Sequence, residues 1–230
     1  MKRILVIVLP IVCMACTRTS TIGEQYLGSP YILDPLGEET APDTDPLIRF
    51  DAFDCTTFVE TVLANGDIDK LNKIRYKDGK IGFLNRNHFV ATEWLPNNTD
   101  VVENVSKKYG KTAFRTVTTN RAAWLKRVHN ISSNVPNKTA RLEYIPYDNL
   151  GNTQTDRPLV VIFVLDKSET MYKKTGTDLA VHHMGFLLPN GMLRHASSSG
   201  GGVVDVNFDE YVAKRKKMPN NLGVMLLEIK

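Results

Sequence analysis

The stretch HMGFLLPNGMLRHAS, residues 183–197, reads as two apolar strand arms around the turn residues Pro189, Asn190 and Gly191. Its two histidines, His183 and His195, stand twelve residues apart, so the hairpin brings both imidazoles to the same end of a sheet. Strand alternation places His182 on the opposite face from His183, which leaves one of the pair to face a partner. His183 is favoured, because its side is shared with Gly185, where a missing side chain leaves room for a substrate or an incoming helix.

The partner to look for is a nucleophile, and far upstream Cys55 stands inside FDCTTFVE. Phe58, Val59, Val62 and Leu63 recur at helical spacing and are followed by the breaker pair Asn65 and Gly66, so Cys55 opens a helix with Asp54 as its cap. A helix start offers free N–H groups and partial positive charge, which favour a thiolate and can receive an oxyanion. A thiol also needs a base to take its proton and a third group to orient that base, and Cys55, His183 and His195 have the chemistry for those parts.

The other cysteines are placed differently. MKRILVIVLPIVCMA, residues 1–15, has a basic start and an apolar run too short to span a bilayer as a mature helix, and it reads as a secretion signal. Cys16 follows it in CMAC, which resembles a bacterial lipobox and implies a lipid anchor on that cysteine. Residues 16–25 are then a small polar tether, and 26–230 a single domain. Removing 15 of 230 residues leaves 215, enough for one real core. Cys55 is left unpaired in an oxidising compartment, where a reactive nucleophile or an inert core thiol explains it.

Loss of Lys2 and Arg3 with the signal lowers the formal charge from +4 to +2, so nucleic acid is not implied. The basic run Lys214 to Lys217 lies beside Asp209 and Glu210 and reads as a solvated face. Two histidines and a cysteine also suit zinc, but they lack the spacing of a ligand cluster, so no metal and no cofactor is expected.

Around the hairpin, strands are expected at Arg141 to Ile145, Leu159 to Leu165, Val181 to Leu188, Met192 to Ala196, Gly202 to Val206 and Gly223 to Ile229. Helices are expected at Asn120 to Val128, with Asn120 as cap and His129 structural at its end, and at Asp209 to Lys214. Ile74 to Phe83 reads as a hairpin about Lys77, Asp78 and Gly79, and His88 to Trp94 as a short helix ending at Pro96. LDPLGEETAPDTD, residues 33–45, carries five acidic residues and reads as a long surface loop. Helices early and strands late give an α+β fold with an antiparallel sheet.

FDCTTFVE followed at a distance by HMGFLLPNGMLRHAS resembles the NlpC-like, papain-like hydrolases of bacterial cell walls. LGSPY at Leu27 to Tyr31, RNHF at Arg86 to Phe89, WLPNN at Trp94 to Asn98 and GTDLAVHHMGF before the hairpin are similar to the N-acetylmuramoyl-L-alanine amidase-like branch. The resemblance implies a nucleophile-bearing helix packed on an antiparallel sheet. It makes Cys55 the nucleophile, His183 the base and later the acid, and His195 the orienter of His183. By the same resemblance Tyr31, Arg86, His88 and Trp94 bind substrate. The stretch between Tyr31 and Cys55 departs from the compact NlpC enzymes in its length and acidity, and a loop of that size can instead wall the cleft and choose substrates.

The implied function is a cysteine hydrolase acting on an amide of peptidoglycan stems or muropeptides, at the bond between N-acetylmuramic acid and L-alanine. Cleavage between D-glutamate and the diamino acid uses the same three residues and stays open. So do a wall-binding envelope lipoprotein without turnover and an acyl transferase. Monomeric, anchored to membrane through Cys16 and periplasmic or on the outer membrane, such a protein needs no nucleic-acid partner.

Overall fold

The computed structural model describes residues 21–230; the expected signal, Cys16 and most of the tether lie outside them. The strands are β1 (Val102–Asn104), β2 (Ala113–Thr119), β3 (Lys138–Pro146), β4 (Leu159–Leu165), β5 (Val181–Leu187), β6 (Met192–Ser197), β7 (Gly202–Asn207) and β8 (Asn221–Ile229). They form one antiparallel sheet in the order β2-β3-β8-β4-β5-β6-β7, with β1 also paired to β8 beyond β3. The helices are α1 (Cys55–Ala64), α2 (Ile68–Arg75), α3 (Leu95–Asn97), α4 (Arg121–His129), α5 (Glu169–Thr175) and α6 (Phe208–Lys216).

β4, LVVIFVL, is apolar throughout because both of its faces are covered. Val160, Ile162 and Val164 enter the core under α1, while Leu159, Val161 and Phe163 enter a second core under α6. Helices therefore sandwich the sheet, α1 on one side and α6 on the other.

α1 is fixed at its start by a capping box. The Asp54 side chain accepts from Thr57 N at 2.8 Å, and Asp54 N donates to the Thr57 hydroxyl at 3.0 Å. Phe53, just before the cap, meets Phe58 edge to face at 5.9 Å, a hydrophobic staple that sets the angle of entry. Asn65, in the left-handed region at φ 53°, closes the helix.

The strands and helices expected in the second half lie where alternation and capping residues put them, each within a few residues. Earlier in the chain several expectations are corrected. Ile74 to Phe83 is not a hairpin. Ile74 belongs to α2, which Asp67 caps through Lys70 N at 3.0 Å and which buries Leu71 and Ile74, one turn apart. Lys77–Gly79 is a 3-10 turn, and only an isolated Tyr76–Arg86 bridge resembles strand pairing. The His88 to Trp94 segment starts at Val90 as a π-helical turn, and Pro96 lies in the first turn of α3, where its missing N–H is tolerated, instead of ending a helix. β1, β2, α2 and α5 were not anticipated as elements.

The acidic loop is also more than surface. Leu36 and Glu38 are buried, and Arg86 grips Glu38 bidentately at 2.8 and 2.7 Å and Asp43 at 2.7 Å. Tyr76 donates to the same Glu38 at 3.0 Å. At the other end, Arg194 donates to the Thr21 hydroxyl and the Ile22 carbonyl, both at 2.8 Å, so the chain is attached to β6 from its first described residue.

Removing one member of a buried ion pair strands the other. Arg86→Met should lower stability by about 3–5 kcal/mol by denaturant titration, and Arg86→Lys, lacking the fork, should recover only part of the loss.

Candidate active site

β5 and β6 hydrogen-bond as a hairpin only at Phe186–Arg194 and Leu187–Leu193, closed by Leu188 and Met192. Beyond Phe186 the arms are no longer paired, and the histidines lie where they part. His183 Nε2 and His195 Nδ1 are 2.6 Å apart, with ring centroids 4.8 Å apart and planes at 82°. The hairpin thus brings the two imidazoles together.

Gly185 permits this contact, for a different reason from the one expected. A Cβ there would stand 2.8 Å from His195 Cβ and 2.7 Å from the Arg194 carbonyl, so the space is taken by β6, not by α1 or a ligand. His182 also departs from expectation. Phe163 pairs with His183 but Val164 with Val181, which makes His182 the extra residue of a β-bulge. Alternation fails there, and both rings lie against Phe163, at 6.1 and 5.7 Å, on the α6 side. His182 Nε2 is tied to Arg215, and burial, with the Arg215 charge second, lowers it to about 3.

Cys55 comes to this place from the α1 side, half-buried at the helix start. It shares with His183 a cavity of about 190 Å³, walled by residues 88–91 and 178–184 together with Val117 and Thr119. The Thr56 hydroxyl lies 3.9 Å from the sulfur, and the Met184 backbone N–H, next to His183, is the backbone group that most favours its thiolate. The thiol therefore stands close to the His183 backbone.

Burial, with the Asp54 charge second, pushes the Cys55 thiol up to about 12. Burial likewise holds His183 well below 6.5, followed by the neighbouring charges of His195, His182 and Arg215. His195 is lowered to about 4 by burial, partly offset by Asp205. The resting site is thus a neutral thiol beside neutral imidazoles. Among the described residues no group of three His, Cys, Asp or Glu is placed to hold a metal ion.

The four further candidates divide. Tyr31 stands near the thiol, its hydroxyl pushed up to about 12 by burial and then by the Cys55 and Asp54 charges. Its backbone bridges Phe53 and accepts support from Gly201, whose carbonyl receives the Tyr31 N–H at 3.1 Å. His88 lines the Cys55 cavity, with Nε2 2.8 Å from the Phe83 carbonyl. Arg86 is 8% exposed with its donors on Glu38 and Asp43, and Trp94 is fully buried, donating to Glu60 at 3.0 Å. Trp94 holds the frame behind α1 and Arg86 pins the acidic loop; neither lines the Cys55 cavity, nor does Tyr31, while Arg86 shares an adjoining cavity with Asp54, Thr56 and His88. Tyr211 of α6 was not anticipated; it touches His195 at 5.1 Å and His183 at 6.0 Å.

Residues 21–219 match the family described as N-acetylmuramoyl-L-alanine amidase-like. The chain belongs to that family. A Legionella pneumophila protein of known structure is similar at 25% identity and TM-score 0.81, over 90% of this chain and 86% of that one. An N-acetylmuramoyl-L-alanine amidase from Bacteroides uniformis is 25% identical with TM-score 0.68, covering 90% of this chain and 97% of its own. A Bacteroides fragilis protein assigned as a xylanase, at 23% identity and TM-score 0.65 over 90% of this chain and 98% of that one, shares the fold alone. No curated relative matches the sequence.

Gly185→Ala should push β6 away from β5, costing about 1–3 kcal/mol and separating the imidazoles. In a crystal structure of that variant the His183–His195 distance should exceed hydrogen-bond range; an unchanged 2.6 Å contact would refute the close-approach argument.

Proposed function

We propose that this chain is a cysteine amidase of the papain-like, NlpC-like type, cleaving the bond between N-acetylmuramic acid and L-alanine in peptidoglycan. The observation that carries the reading is that His183, 2.6 Å from His195, lines one cavity with Cys55 at a helix start. Family membership supports the substrate.

As the thiol attacks the lactyl carbonyl of the muramic acid, its proton passes to Nδ1 of His183, whose Nε2–H is held by His195 Nδ1. The oxyanion forms near the amides at the start of α1, with Tyr31, kept protonated, as a further donor. Collapse breaks the C–N bond, and His183 returns the proton to the leaving L-alanine amine. A water, deprotonated by His183, then hydrolyses the thioester and frees Cys55. His88 and the acidic loop after Tyr31 would shape the approach of the substrate. Secretion by residues 1–15 and lipid anchoring on Cys16 would place the enzyme in the envelope, where that substrate is.

Incubated with purified peptidoglycan, the mature protein should release stem peptides beginning with free L-alanine, read by mass spectrometry. Cys55→Ala should lower the rate at least about 1000-fold. Fragments beginning with the diamino acid would instead identify an endopeptidase, and equal products from both proteins would remove Cys55 as nucleophile.

The pH profile follows from the neutral pair. Activity needs the single proton shared by thiol and imidazole, so it is lost below the depressed His183 value and above the raised Cys55 value. kcat/KM should therefore stay level through pH 6.5 and up past 9, the ordinary values of the two groups. An acid limb centred at or above 6.5 would contradict the assignment.

A further inference from the structure

His195 is 2% exposed, and its Nε2 has no hydrogen-bond partner among the described residues. A buried polar nitrogen of that kind is costly unless something receives it. Which chemical group it is follows from the roles above, on which this inference rests. If His183 Nδ1 is to take the thiol proton, it is bare at rest and the His183 proton is on Nε2. That N–H donates to His195 Nδ1, 2.6 Å away, so the one proton of neutral His195 is on Nε2. The unpartnered atom is thus a donor.

Two aromatic rings touch His195, and one of them, His183, occupies its Nδ1 side. The other is Tyr211, at 5.1 Å with the planes at 72°, an edge-to-face arrangement. The nearby carboxylate, Asp205, has both oxygens bonded to Arg194 at 2.8 and 2.7 Å. We propose that Tyr211 is a positioning residue whose ring face receives the His195 Nε2–H, fixing the tautomer that lets His183 act as a base.

Tyr211 is well placed for that task. α6 is capped by Asn207 through Glu210 N at 2.9 Å, and Phe208 and Val212 anchor it in the core. Phe208 N also donates to the Gly191 carbonyl at 3.1 Å, tying the helix to the turn of the hairpin that carries both histidines. Phe163 packs on the Tyr211 ring at 5.1 Å, leaving the ring little freedom to leave His195.

The test is imidazole ¹⁵N NMR on the labelled protein, with the His195 signals assigned by their loss in His195→Gln. Wild type and Tyr211→Phe should both show His195 protonated at Nε2 and bare at Nδ1. Tyr211→Leu should mix in the other tautomer, and kcat/KM on a muropeptide should fall on the order of fivefold for Leu but hold for Phe. A His195 proton on Nδ1 in wild type, or an unaltered tautomer in Tyr211→Leu, would overturn the proposal. A shift in Tyr211→Phe would overturn it too, by making the hydroxyl the contact. The NMR readout needs no turnover, so loss of the nucleophile assignment through an active Cys55→Ala would leave these outcomes separately readable.

Discussion

Two neutral imidazoles 2.6 Å apart have to agree on where one proton is, and much of the surrounding structure serves that agreement. The contact needs β5 and β6 close enough to touch yet unpaired at this point, which Gly185 and the end of hairpin pairing after Phe186 provide. It needs His183 turned away from the α1 core, and Met184, Phe186 and the bulge at His182 set that turn. Where the strands part, the Met184 backbone of β5 stands close to the sulfur of Cys55. A helix on one face of the sheet thereby reaches histidines that belong to the other.

The parts of this arrangement legible in the sequence are those governed by local chemistry. Asp54, Thr57 and the Phe53–Phe58 staple are a self-contained signal for a helix start, and Pro189 to Gly191 for a turn. α5 carried a comparable signal, Ser168 as cap and Gly176 as close, and was readable on those grounds. β2 also alternates, with Arg115, Val117 and Thr119 inward, but its apolar content is low. His182 is a different case. Its orientation depends on how β4 pairs with β5 across the chain, and no local pattern encodes that slip.

Within the motifs RNHF and WLPNN, His88 lines the Cys55 cavity while Arg86 and Trp94 turn their donors onto buried carboxylates. Trp94 and Arg75 both meet Glu60 on α1, at 3.0 and 3.5 Å, and burial raises that carboxyl to about 7. Arg86, one strand bridge from Tyr76, pins the acidic loop that follows Tyr31. The helix bearing Cys55 is braced from behind by these buried polar groups, so its position against the sheet is specified by directional bonds as well as by apolar packing.

The neutral resting state has a chemical logic of its own. A preformed thiolate is a stronger nucleophile, but it is also the form that oxidants attack. Burial that raises the Cys55 thiol and lowers His183 keeps the proton on sulfur until a carbonyl enters the cavity. On the proposed mechanism proton transfer then coincides with bond formation, and the charge created would appear near the α1 amides and the Tyr31 hydroxyl. The Asp54 charge disfavours a thiolate, yet its carboxylate is bound to Thr57 and builds the helix start that, on the proposed mechanism, receives the oxyanion. The same residue therefore restrains the free thiol and prepares the site for the reacting one, which argues that the arrangement favours the transition state over a standing ion pair.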